Sequence, residues 1–508
     1  MTCPTNAIHA RRIAIIGAGP SGVVAAKYLC AEEAFEKIVL FEQRSRSGGI
    51  WNYTPDLRGE DLLAIPQTNP KRWNQSPEWK ATPGKADDRV DPNDLKKTPL
   101  FLSPMYENLE TNIPRGLMGF NDLKWPKDTQ LFPTHESVLE YIEAYGKEVQ
   151  HLVQYETQVI KVQPFSDNMD SAWTVQTRHL RSGKVNEETF DAVIVANGHF
   201  IVPYIPDIPG IREWDKRNPG LITHSKYYRR PSDFVNKKVI VVGNSASGAD
   251  ISNQIAQYCL TPLIWSTRSI SLFSATHDSA ETAQKRKEYR PIKQLLPSSR
   301  GVEFQDGVSL HEIDAIVFAT GYFYSLPFLE DVKPPLITDG SHVNNTYQHL
   351  FFSPRPTLSF LALNQRVVPF PIAEAQSAVI ARIYAGRLSL PALPEMQAWE
   401  SSRKAEIDSD RNFHLLPFPK DGEYLNSLSQ WALRARTKEG LINGGKGKIP
   451  PVWGEWEFWC RENFPSIRRA FSQLGEKRKH ITSIDDLGFS FENYVEEQQG
   501  KPTENKNL

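Results

Sequence analysis

The chain has 508 residues, of which 40% are hydrophobic and 23% charged, so about two to three folding units are expected. Because 59 Lys and Arg residues nearly balance 60 Asp and Glu residues, no basic field would attract nucleic acid, and no such partner is expected. No apolar run suits a signal peptide or a spanning helix, so we expect no membrane partner. The four cysteines (Cys3, Cys30, Cys259 and Cys460) lack Cys-x-x-Cys spacing, so we expect a cytoplasmic protein without a metal site or a disulfide framework.

The first fifty residues contain a predicted β-α-β unit. It consists of an apolar strand at 13–16, a helix-like stretch at 21–35 and a second apolar strand at 38–41. A turn with the pattern G-x-G-x-x-G joins the first strand to the helix. Such a turn bends tightly, lets the backbone approach a pyrophosphate, and places it at the free N–H groups of a helix N-terminus. We therefore predict a dinucleotide site whose turn residues are Gly17, Gly19, Pro20, Ser21 and Gly22.

An acidic residue ends the second strand of this unit. Glu42 follows Gly22 by twenty residues. A carboxylate there accepts hydrogen bonds from ribose hydroxyls and repels a 2′-phosphate. The first site is therefore predicted to bind FAD or NAD rather than NADP.

The region after this unit contains scattered elements and a linker. In chain order these are a helix at 138–145, an antiparallel strand at 173–177, a buried strand ending in glycine at 191–199 and a proline-rich linker at 203–209. The buried-strand pattern recurs at 314–322, so each copy can return the chain from one nucleotide domain. The charged stretch 84–98 is predicted to be a solvated loop, and 274–300 shows no clear period.

A second β-α-β unit begins near residue 239. Its strands are predicted at 239–242 and 263–266 and its helix at 249–258. The turn keeps two glycines but has Ser245 in the middle, whose hydroxyl can itself donate to a phosphate. Its residues are Gly243, Asn244, Ser245, Ala246, Ser247 and Gly248. We predict an α/β fold with two Rossmann-like dinucleotide-binding domains, in which residues 213–329 are inserted into a domain formed by 1–212 and 330–508.

The second unit ends in a cation instead of an acid. Ser266 closes its second strand, and Arg268 follows Gly248 by twenty residues. A guanidinium pairs with a 2′-phosphate through charge-assisted hydrogen bonds, and hydroxyls add donors. NADPH is therefore predicted at this site; the alternative is an ordinary surface arginine at a strand end.

One site for FAD and one for NADPH suggest a flavin that NADPH reduces. A dithiol reductase would need a cysteine pair beside the flavin, and the chain has no closely spaced pair. These residues alone leave a simple dehydrogenase open.

Five shorter segments carry a family resemblance. They are Gly48-Gly49-Ile50-Trp51, Met105-Tyr106 to Thr111-Asn112, Gly220 with His224 and Tyr228, Phe318-Ala-Thr-Gly-Tyr322, and Glu374-Ala-Gln376. Through them the chain, from about residue 11 to 390, resembles the flavin-containing monooxygenase family; beyond about 395 it is only loosely similar to fungal members. In the segment that contains Gly220, His224 and Tyr228, Asn218 stands where the family has an aromatic residue.

The resemblance implies roles for several residues. Gly49, Ile50 and Trp51 are expected along the flavin-side part of FAD, and Gln376 near FAD. Thr111 and Asn112 are expected at the flavin, with the Asn112 amide as the catalytic group that protects the oxygenating intermediate, and Tyr106 is expected near the nicotinamide. His224 is expected to be structural rather than catalytic.

The resemblance also implies a reaction. NADPH reduces FAD, O2 adds at the flavin C4a atom, and a soft nucleophile of a small-molecule substrate takes the distal oxygen. Since Tyr228 replaces the tryptophan of related Baeyer-Villiger enzymes, N- or S-oxygenation is expected, with a role in fungal secondary metabolism compatible with it. Baeyer-Villiger or oxidative decarboxylation chemistry and a non-enzymatic NADPH sensor are alternatives, and a homodimer is left open. The aromatic residues Trp453, Trp456, Phe458 and Trp459 are expected in the core, with a substrate wall as the alternative.

Overall fold

The computed structural model describes residues 8–55, 63–71, 76–81, 97–166, 172–269 and 284–499. Most of the predicted loop at 84–98 and the first part of the unassigned stretch 274–300 lie outside these ranges. Within them, Lys97–Leu100 is a strand that pairs with Glu78–Ala81, so the predicted loop ends earlier than expected. Residues Arg286–Tyr289 and Ile292–Leu296, inside the unassigned stretch, are strands as well.

The described residues form the strands and helices that follow. The strands are β1 Arg12–Ile16, β2 Lys37–Phe41, β3 Glu78–Ala81, β4 Lys97–Leu100, β5 Val153–Gln154, β6 Thr157–Pro164, β7 Trp173–His179, β8 Val185–Phe190, β9 Ala192–Val195, β10 Val202–Pro203, β11 Ile222–His224, β12 Val239–Val242, β13 Leu263–Ser266, β14 Arg286–Tyr289, β15 Ile292–Leu296, β16 Gly301–Phe304, β17 Ser309–Leu310, β18 Ala315–Phe318, β19 Tyr322–Phe323, β20 Thr346–Tyr347, β21 Phe351–Phe352 and β22 Leu358–Phe360. The helices are α1 Pro20–Cys30, α2 Arg115–Met118, α3 His135–Gly146, α4 Ile211–Arg217, α5 Ala246–Ile255, α6 Pro369–Tyr384, α7 Leu393–Ala405, α8 Lys420–Leu433, α9 Ile442–Gly445, α10 Glu455–Gln473 and α11 Phe491–Gln499.

The larger nucleotide-type sheet has seven strands in the order β20-β21-β22-β9-β1-β2-β5. Strands β22, β9, β1, β2 and β5 are parallel, with Ile13 opposite Ile38 and Ala192. The carboxyl ends of β1 and β2 therefore lie beside each other, which is where a doubly wound sheet binds its ligand. The predicted first unit is confirmed.

The smaller nucleotide-type sheet has five parallel strands in the order β11-β18-β12-β13-β14. Its glycine turn follows the central strand β12. The predicted second unit is confirmed as well, and the chain has the α/β fold with two Rossmann-like domains that the two turns predicted.

The chain crosses between these two sheets twice. The two crossing segments, β10 and β19, pair antiparallel, with Val202 opposite Phe323. Chain segments before β10 and after β19 form the seven-stranded sheet, and the segment between them forms the five-stranded one. The second domain is thus inserted into the first, while the boundaries at 213 and 329 stay a prediction.

Alternating residues of the central strands face opposite layers of core. Ile13 and Ile15 join the cluster that contains α1 and α6, whereas Ala14 and Ile16 join the cluster beneath the antiparallel sheet β6-β7-β8. This is the period-two pattern of a sheet covered on both faces. The two faces of the smaller sheet are buried in the same manner.

Both predicted helices of the nucleotide units have shifted ends. The first helix ends at Cys30 rather than Phe35, because Glu33 takes a left-handed conformation with φ of 46° and Glu32 turns inward to pair with Arg387 at 2.5 Å. The second begins at Ala246 rather than Ala249 and ends at Ile255 rather than Tyr258. Within the described ranges, no helix has both the length and the apolar character to cross a membrane.

Candidate nucleotide sites and the contact between them

The first glycine turn is formed by close backbone contacts. The Gly17 amide donates to the Phe41 carbonyl at 2.8 Å, and Gly17 takes a φ of +102°, which side chains disfavour. A Cβ on Gly17 would lie 2.7 Å from the Ala196 carbonyl oxygen, and one on Gly22 would lie 1.9 Å from the Gly17 oxygen. Helix α1 therefore starts directly against the strand, with Pro20 in its first turn and no carboxylate occupying its N-terminus.

The Glu42 carboxylate reaches back to this turn. Its Oε2 atom accepts from the Ala18 amide at 2.8 Å, and its Oε1 atom accepts from the Arg44 amide at 2.8 Å. Only 5% of the residue is exposed. Burial raises the pKa of the Glu42 carboxyl, while the nearby Arg44 charge and the backbone donors oppose that rise. A carboxylate has about four acceptor sites, so Glu42 can still accept from a further donor such as a ribose hydroxyl.

The Gly48-Gly49-Ile50-Trp51 segment packs directly on the first turn. The Gly48 amide donates to the Ala18 carbonyl at 3.0 Å, and a Cβ on Gly49 would lie 3.0 Å from the Gly19 Cα. Trp51 is half-buried and its ring lies 6.5 Å from that of Phe370, near the start of α6. The segment thus connects the turn to the first residues of α6, with small residues where the two backbones approach.

The predicted catalytic residue, Asn112, lies in a turn that is held on both sides. The Thr111 amide donates to the Pro133 carbonyl at 2.9 Å, and the Thr111 hydroxyl donates to the Ile113 carbonyl at 2.9 Å. Asn112 itself is half-buried, and its side chain forms no hydrogen bond with the residues that the structure describes. Its amide is therefore available to a ligand. Thr111 fixes the turn instead of facing a ligand with its hydroxyl.

The second glycine turn repeats the construction of the first. A Cβ on Gly243 would lie 2.4 Å from the Ala319 oxygen, and one on Gly248 would lie 2.2 Å from the Gly243 oxygen. The Trp265 indole donates to the Gly243 carbonyl at 2.8 Å. Ser245 precedes the helix in an extended conformation, with φ of −79°, so this middle position does not require glycine.

Two arginines lie at the carboxyl edge of the smaller sheet. Arg268 follows β13 and is exposed; Arg290 follows β14, whose last residue Tyr289 lies opposite Ser266. The Asn244 side-chain amide donates to the Ser269 carbonyl, which ties the Arg268 loop to the glycine turn. Ser266 is buried and its hydroxyl donates to the Arg290 carbonyl at 3.1 Å, so it supports the loop rather than offering a donor to a phosphate. Sequence reasoning missed Arg290, because only the strand register brings it beside Arg268.

Tyr106 lies at the contact between the two domains. Its hydroxyl donates to the Asp250 carboxylate on α5, only 5% of the residue is exposed, and its ring lies 5.1 Å from that of Tyr228. The expected position of Tyr106 near the nicotinamide stays a prediction. Asp250 was also missed; the signal was the polar pair Asp250 and Gln254, four residues apart and so on one face of the helix.

Gln376 is likewise occupied by protein groups. It is fully buried; its Oε1 accepts from the Ala362 amide at 2.9 Å, and its Nε2 donates to the Asn364 Oδ1 at 2.8 Å and lies 3.2 Å from the Tyr424 hydroxyl. Ala362 has a left-handed φ of 55°, which this contact stabilises. Gln376 therefore supports the 362–364 loop, and its expected position near FAD stays a prediction.

His224 has the contacts of a structural residue. It is fully buried, and its Nδ1 atom accepts from the Lys226 amide at 3.1 Å. Burial lowers the pKa of His224 to about 3, so the ring is neutral at ordinary pH. These contacts agree with the structural role that was expected.

The C-terminal aromatic residues divide between core and cavity. Trp453 and Trp459 are buried in the main core, whereas Trp456 lines a cleft of about 480 Å³. The same cleft is lined by Pro114 and Arg115, which follow Asn112 closely in the chain. Trp453 and Trp459 are therefore core residues, as expected, while Phe458 and Trp456 are partly buried against that core and Trp456 also lines the cleft.

Comparisons with known proteins agree with this geometry. The sequence profile of the Flavin-binding monooxygenase-like family matches residues 102–281 and 290–442, and that of an NAD(P)-binding Rossmann-like domain matches residues 15–78. The chain is 29% identical to Flavin-containing monooxygenase ustF2 of Aspergillus flavus over 89% of this chain and 97% of that protein. It is 32% identical to Flavin-containing monooxygenase FMO GS-OX3 of Arabidopsis thaliana over 94% of this chain and 97% of that protein.

A solved structure resembles the whole chain. The structure of S-allyl-L-cysteine S-oxygenase from Allium sativum superposes with a TM-score of 0.73 and 29% sequence identity, covering 97% of this chain and 99% of that one. The resemblance therefore includes the C-terminal helices, which the family profile does not reach.

Proposed function

The chain belongs to the flavin-binding monooxygenase-like family, and we propose that it oxygenates a sulfur or nitrogen atom of a small molecule. As a flavin-dependent monooxygenase it uses FAD, NADPH and O2. The observation that carries the finer proposal is the likeness, along nearly the full length of both chains, to an S-oxygenase. Tyr228, in the position where related Baeyer-Villiger enzymes have tryptophan, supports the same choice.

The first turn suits FAD. Gly17 and Gly22 leave room only for backbone, and the Glu42 carboxylate is fixed beside the turn with lone pairs to spare. A pyrophosphate would accept from the free N–H groups at the start of α1, and a ribose hydroxyl would donate to Glu42. The proposed FAD residues are Gly17, Gly19, Pro20, Ser21, Gly22, Glu42, Gly49, Ile50, Trp51 and Asn112.

The second turn suits NADPH. Arg268 and Arg290 give the edge beside this turn two guanidinium groups, which match the doubly charged 2′-phosphate better than a ribose hydroxyl. The proposed contacts are Gly243, Asn244, Ser245, Ala246, Ser247, Gly248, Arg268 and Arg290. Residues 213–329 are proposed as the NADP-binding domain.

When bound, FAD supplies the acceptor for the NADPH hydride and the centre that reacts with O2. The protein then has to orient the two cofactors and exclude water. The Asn112 amide, held by the Thr111 turn, is the group we propose as a hydrogen-bond donor at the reacting centre. A soft nucleophile, such as a thioether sulfur or an amine nitrogen, needs no side-chain base to activate it. We therefore expect an atom of this kind to be the one oxidised.

We further propose a cytosolic location. Within the described residues Cys30, Cys259 and Cys460 are free thiols, as a reducing compartment would keep them.

NADPH consumption with a panel of thioethers, thiols, amines, hydroxylamines and ketones tests the proposal, with hydrogen peroxide measured in parallel. A thioether or amine should raise NADPH consumption, lower peroxide release and gain one oxygen atom. A product in which oxygen is inserted beside a ketone carbonyl would instead establish Baeyer-Villiger chemistry. Protein that is colourless and fails to bind added FAD would overturn the proposal.

A further inference from the structure

A partly buried hydrogen bond joins the inserted domain to the domain of the first glycine turn. The Tyr106 hydroxyl donates to the Asp250 carboxylate. Tyr106 lies six residues before Asn112, and Asp250 lies on α5, the helix that starts at the second glycine turn. The bond therefore connects the two predicted cofactor regions through one residue on each side.

Neighbouring contacts strengthen this connection. The Gln254 side-chain amide donates to the Asp250 carboxylate at 3.0 Å and to the Asn108 carbonyl at 3.2 Å. The Arg229 guanidinium donates to the Met105 carbonyl at 2.8 Å and to the Ser103 carbonyl at 3.0 Å. The segment 103–108 is thus bound along its length by residues 229–254.

The bond lies in surroundings that make it costly to break. Tyr106 is 5% exposed and its ring packs on that of Tyr228. Burial raises the pKa of both Tyr106 and Asp250, and the Arg468 charge opposes this at both groups. Asp250 is half-buried, so its carboxylate without these donors would lose part of its solvation, and the contact favours one relative position of the two domains.

We propose that the Tyr106–Asp250 hydrogen bond is an interdomain latch, which makes Asp250 a positioning residue for hydride transfer. The inference rests on the proposed function, in which NADPH at the second turn must deliver a hydride to FAD at the first. Asp250 lies four residues into α5, about 6 Å along the helix from its first residue. Because a helix is rigid over this length, the latch sets the direction of the N-terminal turn that would hold the pyrophosphate.

Hydride transfer is sensitive to such positioning, since reacting atoms must approach within roughly 3 to 3.5 Å. Removing the latch should therefore slow flavin reduction without weakening the contacts that bind NADP. We expect Tyr106→Phe and Asp250→Ala each to slow anaerobic flavin reduction by NADPH roughly tenfold, with an unchanged dissociation constant for NADP+. The double variant should be no slower than either single one, and Asp250→Asn, which keeps an acceptor oxygen, should be milder.

A second readout does not depend on the loaded enzyme. In the apoprotein, amide hydrogen exchange in peptides covering 103–109 should become faster in Tyr106→Phe, because the Glu107 amide donates across the domain contact to Arg229. Tyr384→Phe is the matched control: it also removes a buried hydroxyl, one that donates to the Pro356 carbonyl at 3.1 Å within the larger domain. It should leave both exchange at 103–109 and flavin reduction unchanged.

The latch is overturned if Tyr106→Phe leaves exchange at 103–109 like that of Tyr384→Phe. It is also overturned if the effects of Tyr106→Phe and Asp250→Ala on flavin reduction multiply in the double variant, because independent effects would show that the two groups do not act as a pair. A wild-type protein that NADPH cannot reduce would contradict the proposed function, and the exchange measurement would still decide on the latch.

Discussion

Replacing Glu42 by glutamine should weaken FAD binding and also lower the free energy of unfolding of the apoprotein, and the two effects can be measured separately. The carboxylate accepts two backbone donors at 2.8 Å, from Ala18 and Arg44, and is 5% exposed. Glutamine has one acceptor oxygen and one amide group, so one of the two backbone N–H groups would face another donor.

The structure sets the size of both effects. A buried donor left without an acceptor costs about 1–3 kcal/mol, which should appear as a lower free energy of unfolding of the apoprotein. The lost charge-assisted bond to a ribose hydroxyl is worth about 1.5–3 kcal/mol, which corresponds to a roughly 10- to 100-fold higher dissociation constant for FAD. Burial raises the pKa of Glu42, so part of the first cost is offset because glutamine is already neutral.

Quenching of FAD fluorescence during reconstitution of the apoprotein measures the affinity, and urea unfolding measures the stability. Glu400→Gln is the matched control, since the Glu400 carboxylate is also buried and accepts a backbone amide, that of Asn345, at 2.9 Å. It should lower stability while leaving FAD affinity unchanged. Equal FAD affinity in Glu42→Gln and wild type would refute the assignment of Glu42 to the ribose.

Three further predictions concern the second site, the reacting centre and a buried acid. Arg268→Gln should raise KM for NADPH by roughly tenfold and leave KM for NADH unchanged, and adding Arg290→Gln should raise it further; equal KM shifts for both nucleotides would contradict a 2′-phosphate contact. Asn112→Asp should replace a donor by a negative charge and increase hydrogen peroxide released per NADPH by roughly tenfold, the effect of losing one hydrogen bond of about 1.4 kcal/mol; full oxygenation yield would show that the amide has no such role. Burial raises the pKa of Glu374 from 4.5 to about 7, so the folded protein holds this proton more tightly than the unfolded chain and loses stability as pH rises through that range. From pH 5 to pH 8, the stability of Glu374→Gln relative to wild type should therefore increase by on the order of 3 kcal/mol. The same difference in urea midpoint between the two apoproteins at both pH values would contradict this prediction.

Local sequence patterns were sufficient to predict the positions of the elements nearest the predicted cofactor sites. The strands at 12–16 and 239–242, the two glycine turns and Glu42 are where the pattern placed them, because such turns need specific residues over a few positions. The helix ends were less well predicted. The first helix stops at Cys30 because Glu32 pairs with Arg387, a residue 355 positions away that no local pattern could reveal.

Side-chain hydrogen bonds to partners in other segments of the chain could not be predicted from the sequence. Gln376 and Ser266 have residue types that suit a ligand, yet the structure gives their polar atoms to Ala362, Asn364 and the Arg290 carbonyl. Residue type alone cannot show whether a donor is already used within the protein.

The sequence by itself determined the α/β class, the two nucleotide turns and the contrast between an acid at 42 and a cation at 268, since each depends on backbone chemistry within a short segment. Only the tertiary structure decided that Arg268 and Arg290 follow neighbouring strands at one edge of the sheet, and that Tyr106 bonds to Asp250 across the domain contact. Strand register and domain packing bring these pairs together, and both result from burying apolar surface along the whole chain, which no single segment encodes.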